Sequence, residues 1–253
     1  MNLLLQGFAW IFDPAKWTSV PGSPSIAVRL AEHLAYGAEA LLLAAIIALP
    51  IGLAIGHTGR GRSVGIAMAN ATRALPTLGL LSLFILLLGI GDLPTVVVLA
   101  ILAIPPLLAG AYSGLESVDR ETVYAARAVG MTEWQVLLMV ELPLALPLIL
   151  GGIRASALQV ISTATVAAYF SGGGLGRYLI DGLASHDYIQ MVAGSILVTA
   201  LALIVDALFA LIQRFSVLPG VSGGTVHSKR KSHVRPPRPI AQLGKPIQEG
   251  SYQ

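Results

Sequence analysis

The sequence predicts an all-α membrane protein with about five transmembrane helices, and three observations support this fold class. Of the 253 residues, 55% are apolar and only 11% are charged, whereas a soluble domain carries roughly 25% charged residues. Five apolar stretches, at about 33–56, 65–90, 93–112, 144–169 and 190–213, reach the ~20 residues that a helix needs to cross a bilayer. None of them alternates apolar and polar residues as a spanning β-strand does.

The regions outside these stretches predict two flanking segments. Residues 1–32 contain Trp10, Phe12 and Trp17 with several prolines, which is typical of an interfacial segment and is equally compatible with an unstructured tail. No basic start or small-residue cleavage site indicates a signal peptide. Residues 33–215 form the predicted membrane domain, and residues 216–253, rich in Gly, Pro, Ser and basic residues, predict a disordered cytoplasmic tail.

The distribution of Lys and Arg predicts the orientation. Eleven basic residues fall between spans one and two, between spans three and four, or after span five: Arg60, Arg62, Arg120, Arg127, Arg214, Lys229, Arg230, Lys231, Arg235, Arg238 and Lys245. Only Lys16, Arg29 and Arg177 fall on the other side. The positive-inside rule therefore predicts an N-terminus outside and a C-terminus in the cytoplasm. Orientation and contact with anionic lipid account for the basic tail, so no nucleic-acid partner is predicted.

A polar segment, at about residues 117–143, interrupts the apolar chain between spans three and four. Asp119 is placed to cap a short helix from Arg120 to about Val129, and Gly130 to end it in the left-handed conformation. Thr132 and Gln135 have the spacing of a capping box. A second helix is predicted to follow until Pro143 and Pro147 disturb it.

The first of these two helices is predicted to expose small and apolar side chains on the cytoplasmic side. The residues expected on its surface are Val123, Tyr124, Ala125, Ala126, Ala128 and Val129. Small side chains allow a partner's groove to approach the backbone closely, which favours a docking role. An ordinary amphipathic connector is the alternative.

The spacing of Ala125, Ala126, Gly130, Val140, Leu142 and Pro143 resembles the EAA loop of bacterial ABC-importer permeases. Tyr124 stands where that pattern has Glu, and Val140 stands where it has Ile. Three further stretches, Arg73 to Gly91, Ile104 to Leu115 and Ser171 to Gly176, resemble the glycine betaine, choline and carnitine permeases. Ala109, Gly110 and Ala111 precede Tyr112, where such permeases often carry Asn and Thr.

This resemblance implies a type I ABC-importer permease in the bacterial inner membrane. A pair of such chains, identical or different, would form the pathway, and two cytoplasmic ATP-binding subunits would receive the loop helices. An extracytoplasmic binding protein would deliver the solute. The chain itself has no G-x4-G-K-[ST] motif, so it is expected to bind no ATP and to be no enzyme. An amino acid or sulfonate is an alternative cargo, whereas a secondary transporter would show paired inverted repeats.

Ionisable residues and glycines in or near the spans supply the remaining candidates. Arg73, Pro76, Tyr112 and Arg154 are expected along the pathway or at the seam between permease chains. Because charges at membrane depth usually face a cavity or a partner, Glu39 or Asp206 is the expected partner of the arginines. Structural ion pairs are the alternative reading. An outer turn near the gate is predicted at Gly172, Gly173, Gly174 and Gly176. The five histidines lack helical metal-ligand spacing, so no metal site is predicted.

Overall fold

In the computed structural model, residues 2–61 and 76–216 are described, with Ser63 and Ala67 between them. The described elements in chain order are α1 (Leu3–Ile11), a 3-10 turn (Pro14–Trp17), α2 (Ile26–Thr58), α3 (Thr77–Leu88), α4 (Asp92–Glu116), α5 (Arg120–Ala128), α6 (Glu133–Gln135), a π-helix (Val136–Glu141), α7 (Leu142–Ser171), α8 (Gly176–Ser185) and α9 (Tyr188–Phe215). The described chain is thus almost wholly helical. The expected tail lies outside this part of the chain except for Ser216.

Four described helical stretches are long and apolar enough to cross a membrane: Ile26–Thr58, Asp92–Glu116, Glu133–Phe170 and Tyr188–Phe215. The shorter apolar helix α3 belongs to the predicted second span, most of whose first half lies outside the described residues. The all-α membrane fold is therefore confirmed. The helix of the predicted first span begins before residue 33, at Ile26, because Ser25 caps α2 by accepting a hydrogen bond from the Val28 amide.

Small residues set the packing of α2, α4 and α7. A Cβ placed on Gly56 of α2 would lie 2.7 Å from the Leu115 Cβ of α4. A Cβ placed on Gly110 of α4 would lie 2.5 Å from the Gly152 Cα of α7. Close backbone approach of this kind is how helices associate in lipid, where apolar burial gives them little driving force.

Polar contacts between α2 and the two ends of α7 define the two ends of the helical bundle. The start of α2 lies near the end of α7, since Arg29 Nη1 donates to the Gly172 carbonyl at 2.7 Å. The end of α2 lies near the start of α7, where His57 contacts Glu141. We call these the glycine-turn end and the α5 end. Helices α2 and α7 are therefore antiparallel, as the five-span prediction requires.

The helix between Thr132 and Ser171 is disturbed just before Pro143, as predicted, but it does not stop at Pro143 or Pro147. The chain passes from α6 through a π-helix into α7, with the Leu142 amide donating to the Leu137 carbonyl. Pro143 falls in the first turn of α7, where a missing amide donor is tolerated. Pro147 lies inside α7, and Gln213 Nε2 of α9 donates to its carbonyl at 2.8 Å.

Candidate functional site

The loop at the α5 end has the caps that its sequence predicts. Asp119 accepts a hydrogen bond from the Glu121 amide at 3.1 Å, and Gly130 has a left-handed φ of +90°. In the capping box, the Gln135 amide donates to Thr132 Oγ1, and the Thr132 amide donates to Gln135 Oε1 at 2.9 Å. Because these caps satisfy donors that helix ends leave open, local sequence alone defines the helix, turn and helix.

One face of α5 is buried and the other is free. Val123 and Ala126 are buried in a cluster with Leu115, Val136, Ala145 and other apolar residues, so the prediction that these two are exposed is wrong. Their positions three apart place both on the core side of the helix. The opposite side is exposed and consists of Tyr124, Ala125, Ala128 and Val129. We call these four residues the docking face.

An ion pair crosses the turn at Gly130. Arg127 Nη2 donates to Glu133 Oε2 at 2.8 Å, and Arg127 Nε donates to Glu133 Oε1 at 2.9 Å. The hydrogen bond to this carboxylate raises the pKa of Arg127. The two-point contact fixes the orientation of α5 relative to α6. It does not involve Tyr124, whose side chain is 62% exposed.

A second polar contact joins this loop to α2. His57 Nδ1 lies 2.5 Å from Glu141 Oε2, and His57 Nε2 lies 3.2 Å from Glu133 Oε2. The Glu141 side chain is only 1% exposed. The sequence does not single out His57 or Glu141, because they are 84 positions apart. The available signal is one acidic residue within the apolar run before Pro143, which requires a partner if it is buried.

The last three loop residues that the sequence predicts pack beneath the exposed surface of the loop. Val140 and Leu142 are partly buried against the same apolar cluster as Val123 and Ala126. Pro143 is half-buried in the first turn of α7. These residues hold the docking face in place and contribute no surface to it.

Arg154 and Asp206 form the ion pair that the sequence predicts as one of two possibilities. Arg154 Nε and Nη2 donate to Asp206 Oδ1 and Oδ2 at 2.6 and 2.7 Å, which joins α7 to α9. Each side chain is about a third exposed. Glu39 is exposed and lies outside this pair.

Two other candidates for the pathway or seam, Tyr112 and Pro76, lie within the described residues. Tyr112 packs half-buried against the main core of α2, α4 and α7. Pro76 is exposed at the start of α3. Arg73 lies outside the described residues.

At the opposite end, the predicted glycine turn is anchored to α2. Gly172 ends α7 with a φ of +74°, and the amide of Gly174, whose φ is +77°, donates to Glu32 Oε2 at 2.8 Å. Arg29 Nη1 donates to both the Gly172 carbonyl and Glu32 Oε2. A Cβ on Gly173 would lie 2.6 Å from the hydroxyl of Tyr36. The turn is therefore fitted closely against α2, and Gly176 begins α8 directly after it.

A polar cavity of about 480 Å³ opens beside this turn. Trp10 of α1 and Tyr178 of α8 meet edge to face in its wall, with ring centroids 5.2 Å apart. Lys16 Nζ lies 4.8 Å from the centroid of the Trp10 ring. Burial raises the pKa of Tyr178. The segment before α2 is thus packed against the bundle at this end and is no unstructured tail.

Comparison with known proteins identifies the family. The family described as binding-protein-dependent transport system inner membrane component matches residues 42–216. The chain belongs to this family. It is accordingly a permease component and a multi-pass membrane protein.

Named relatives and solved structures agree with this assignment. The chain is 35% identical to the glycine betaine/carnitine/choline transport system permease protein OpuCB of Bacillus subtilis, over 77% of this chain and 90% of the relative. It is 34% identical to the osmoprotectant import permease protein OsmW of Salmonella typhimurium, over 72% and 87%. A chain of the inward-facing MetNI methionine ABC transporter superposes with a TM-score of 0.70 at 21% identity, covering 79% of this permease and 100% of that chain. That structural likeness confirms the type I importer fold.

Proposed function

We propose that this permease forms the membrane pathway for a compatible solute such as glycine betaine, choline or carnitine. The observation that carries the proposal is the docking face, a capped helix presented at one end of a bundle that has the fold of importer permeases. The named relatives at 34–35% identity support an osmoprotectant cargo. Amino-acid transport has weaker support, because the MetNI likeness extends to the fold alone.

The docking face is suited to a cytoplasmic ATP-binding subunit. Its exposed Ala125 and Ala128 allow close approach of a partner, and its buried Val123 and Ala126 tie the helix to the core. A partner that moved the docking face would therefore move α4 and α7 with it. ATP hydrolysis belongs to that partner. A second permease chain, identical or different, completes the pathway.

The orientation and the remaining partner follow from the same placement. The α5 end would be cytoplasmic, since Arg120 and Arg127 lie there and the positive-inside rule assigns basic loops to the cytoplasm. The glycine-turn end is extracytoplasmic, where an extracytoplasmic binding protein would deliver solute beside the anchored turn. The helix α1, with exposed Leu4, Leu5 and Phe8, would rest in the outer lipid interface.

ATP-dependent uptake of labelled glycine betaine tests this function. Vesicles would contain this permease with its ATP-binding subunits and its binding protein. We expect uptake by the wild type, retention in Gly130→Asn, and loss in Gly130→Pro, because Asn tolerates the left-handed conformation whereas Pro fixes φ at about −65°. Gly130 has a φ of +90°.

Two results would count against the proposal. Uptake of an amino acid but of no quaternary ammonium solute would reject the cargo and keep the permease. Undiminished uptake by Gly130→Pro would reject the docking role of the capped loop.

A further inference from the structure

A polar cluster, distinct from the docking face, links that face to the first span. It consists of Arg127 in α5, Glu133 at the start of α6, Glu141 at the end of the π-helix and His57 in the last turn of α2. His57 uses its two ring nitrogens on two carboxylates, with Nδ1 at 2.5 Å from Glu141 and Nε2 at 3.2 Å from Glu133. One side chain of α2 thus contacts both ends of the segment that follows the docking face.

The buried position of Glu141 makes this contact obligatory. A polar group that is buried without a hydrogen-bond partner is destabilising, so a buried carboxyl group must be hydrogen-bonded. The Glu141 side chain is 1% exposed, and the His57 ring is its hydrogen-bond partner. The hydrogen bond between α2 and the π-helix therefore constrains the distance and the angle between two atoms, whereas a contact between apolar side chains does not.

The pair is a direct polar contact between α2 and the π-helix, beside the apolar packing of Leu49 and Leu53 on the cluster that contains Val136. An apolar groove of about 500 Å³ opens between the end of α2 and the π-helix, and it is lined by Pro50, Leu53, Ala54, His57, Thr58, Glu133, Trp134, Leu137 and Leu138. Apolar residues therefore fill the space between these two elements only in part. A displacement of the π-helix would therefore reach α2 through the histidine in addition to the apolar contacts of Leu49 and Leu53.

The backbone on both sides of the pair has features that would let a movement pass from the π-helix to α2. The π-helix changes the hydrogen-bond register just before Glu141, and π-helical turns often occur at functional sites. On the other side, Gly52 and Gly56 bring α2 close to α4: a Cβ on Gly52 would lie 2.6 Å from the Ala111 Cβ. A displacement received at His57 would therefore be passed to two packed spans.

We propose that His57 and Glu141 are positioning residues that transmit movement of the docking face to α2. This inference rests on the proposed function, since it requires a partner that moves that face. This role requires no contact with ATP or solute. Their role is to make the end of α2 follow the π-helix during each cycle.

The test compares the solute transported per ATP hydrolysed in three variants of the assembled transporter. His57→Leu breaks the pair and leaves Glu141 buried without its partner. His57→Leu with Glu141→Leu removes both polar groups, which restores stability because apolar groups can replace both partners of a buried hydrogen bond. Arg177→Leu is the control, because Arg177 pairs with Asp181 within a single helix, α8, and joins no two elements.

We expect the single and the double variant to hydrolyse ATP but to transport about five-fold or more less solute per ATP, which is a typical size for coupling between sites. We expect the double variant, unlike the single one, to melt near the wild-type temperature. Arg177→Leu should retain the wild-type ratio. A double variant that is stable and also has the wild-type ratio would overturn the inference and reduce the pair to a structural role.

The two proposals fail in different ways. If the wild-type assembly hydrolyses ATP and moves solute while both variants keep the wild-type ratio, this inference alone is wrong. If the wild-type permease neither binds the ATP-binding subunits nor supports transport, the proposed function is wrong, and the inference fails with it.

Discussion

The crossing of α4 and α7 predicts opposite effects for the same substitution at two adjacent glycines. A Cβ added at Gly152 would lie 2.7 Å from the Gly110 Cα and 2.9 Å from the Pro106 carbonyl oxygen. Both neighbours are backbone atoms that cannot rotate away. A Cβ added at Gly151 would meet only the end of the Gln213 side chain, at 3.5 Å. Gly151→Ala is therefore the matched control for Gly152→Ala.

The magnitude follows from these distances. Carbon atoms make favourable contacts at about 3.5–4.0 Å, so α4 and α7 would have to separate by roughly 1 Å to accept a methyl group at Gly152. Overpacking of this kind costs about 1–3 kcal/mol. The gain from replacing a helical Gly by Ala, up to about 1 kcal/mol, applies to both variants and cancels in the comparison. Gly152→Ala should thus be about 1–3 kcal/mol less stable than Gly151→Ala.

Thermal unfolding of the purified permease in mild detergent, followed by far-ultraviolet circular dichroism, measures this difference. For a chain of this size, 1 kcal/mol corresponds to about 2–4 °C in Tm. We therefore expect Gly152→Ala to melt several degrees below Gly151→Ala. Equal melting temperatures, or a more stable Gly152→Ala, would refute the close backbone contact between the two helices.

Two further predictions concern the α7–α9 contact and the glycine turn. Asp206→Leu should lower Tm more than Arg154→Leu with Asp206→Leu, because the single change leaves one charge unpaired in a span; equal Tm values would show that the ion pair is not formed. Gly174→Ala should lower Tm more than Gly172→Ala, since both positions have positive φ but only a Cβ on Gly174 meets His33 Nδ1, at 3.1 Å. The reverse order would contradict the packing of the turn on α2.

The features that the sequence predicts are those that depend on neighbouring residues. Asp119, Gly130, Thr132 and Gln135 cap the loop helices through contacts within three residues, so their spacing is sufficient. Apolar length is likewise sufficient to predict the four spans that the described residues contain. The first residue of α2 is also set locally, by the Ser25 cap, but hydropathy does not register such a side-chain hydrogen bond.

The features that the sequence does not predict depend on distant residues. His57 meets Glu141 only because α2 and α7 are antiparallel, and Gly110 meets Gly152 only at one crossing point. Which face of α5 is buried depends on the position of Leu115 and Val136, because alanines are compatible with either face. Arg154 has two possible acidic partners in the sequence, and the packing of α9 on α7 selects Asp206.

Cross-linking from the docking face tests the central claim most directly. The chain contains no cysteine, so Ala125→Cys provides a unique attachment point for a photoreactive maleimide on an exposed residue of α5. Ala184→Cys, on an exposed residue of α8 at the other end, is the matched control. In assembled membranes, we predict that Ala125→Cys cross-links to the ATP-binding subunit and that Ala184→Cys does not. Cross-linking to that subunit from Ala184→Cys, with none from Ala125→Cys, would contradict both the orientation and the coupling role of α5.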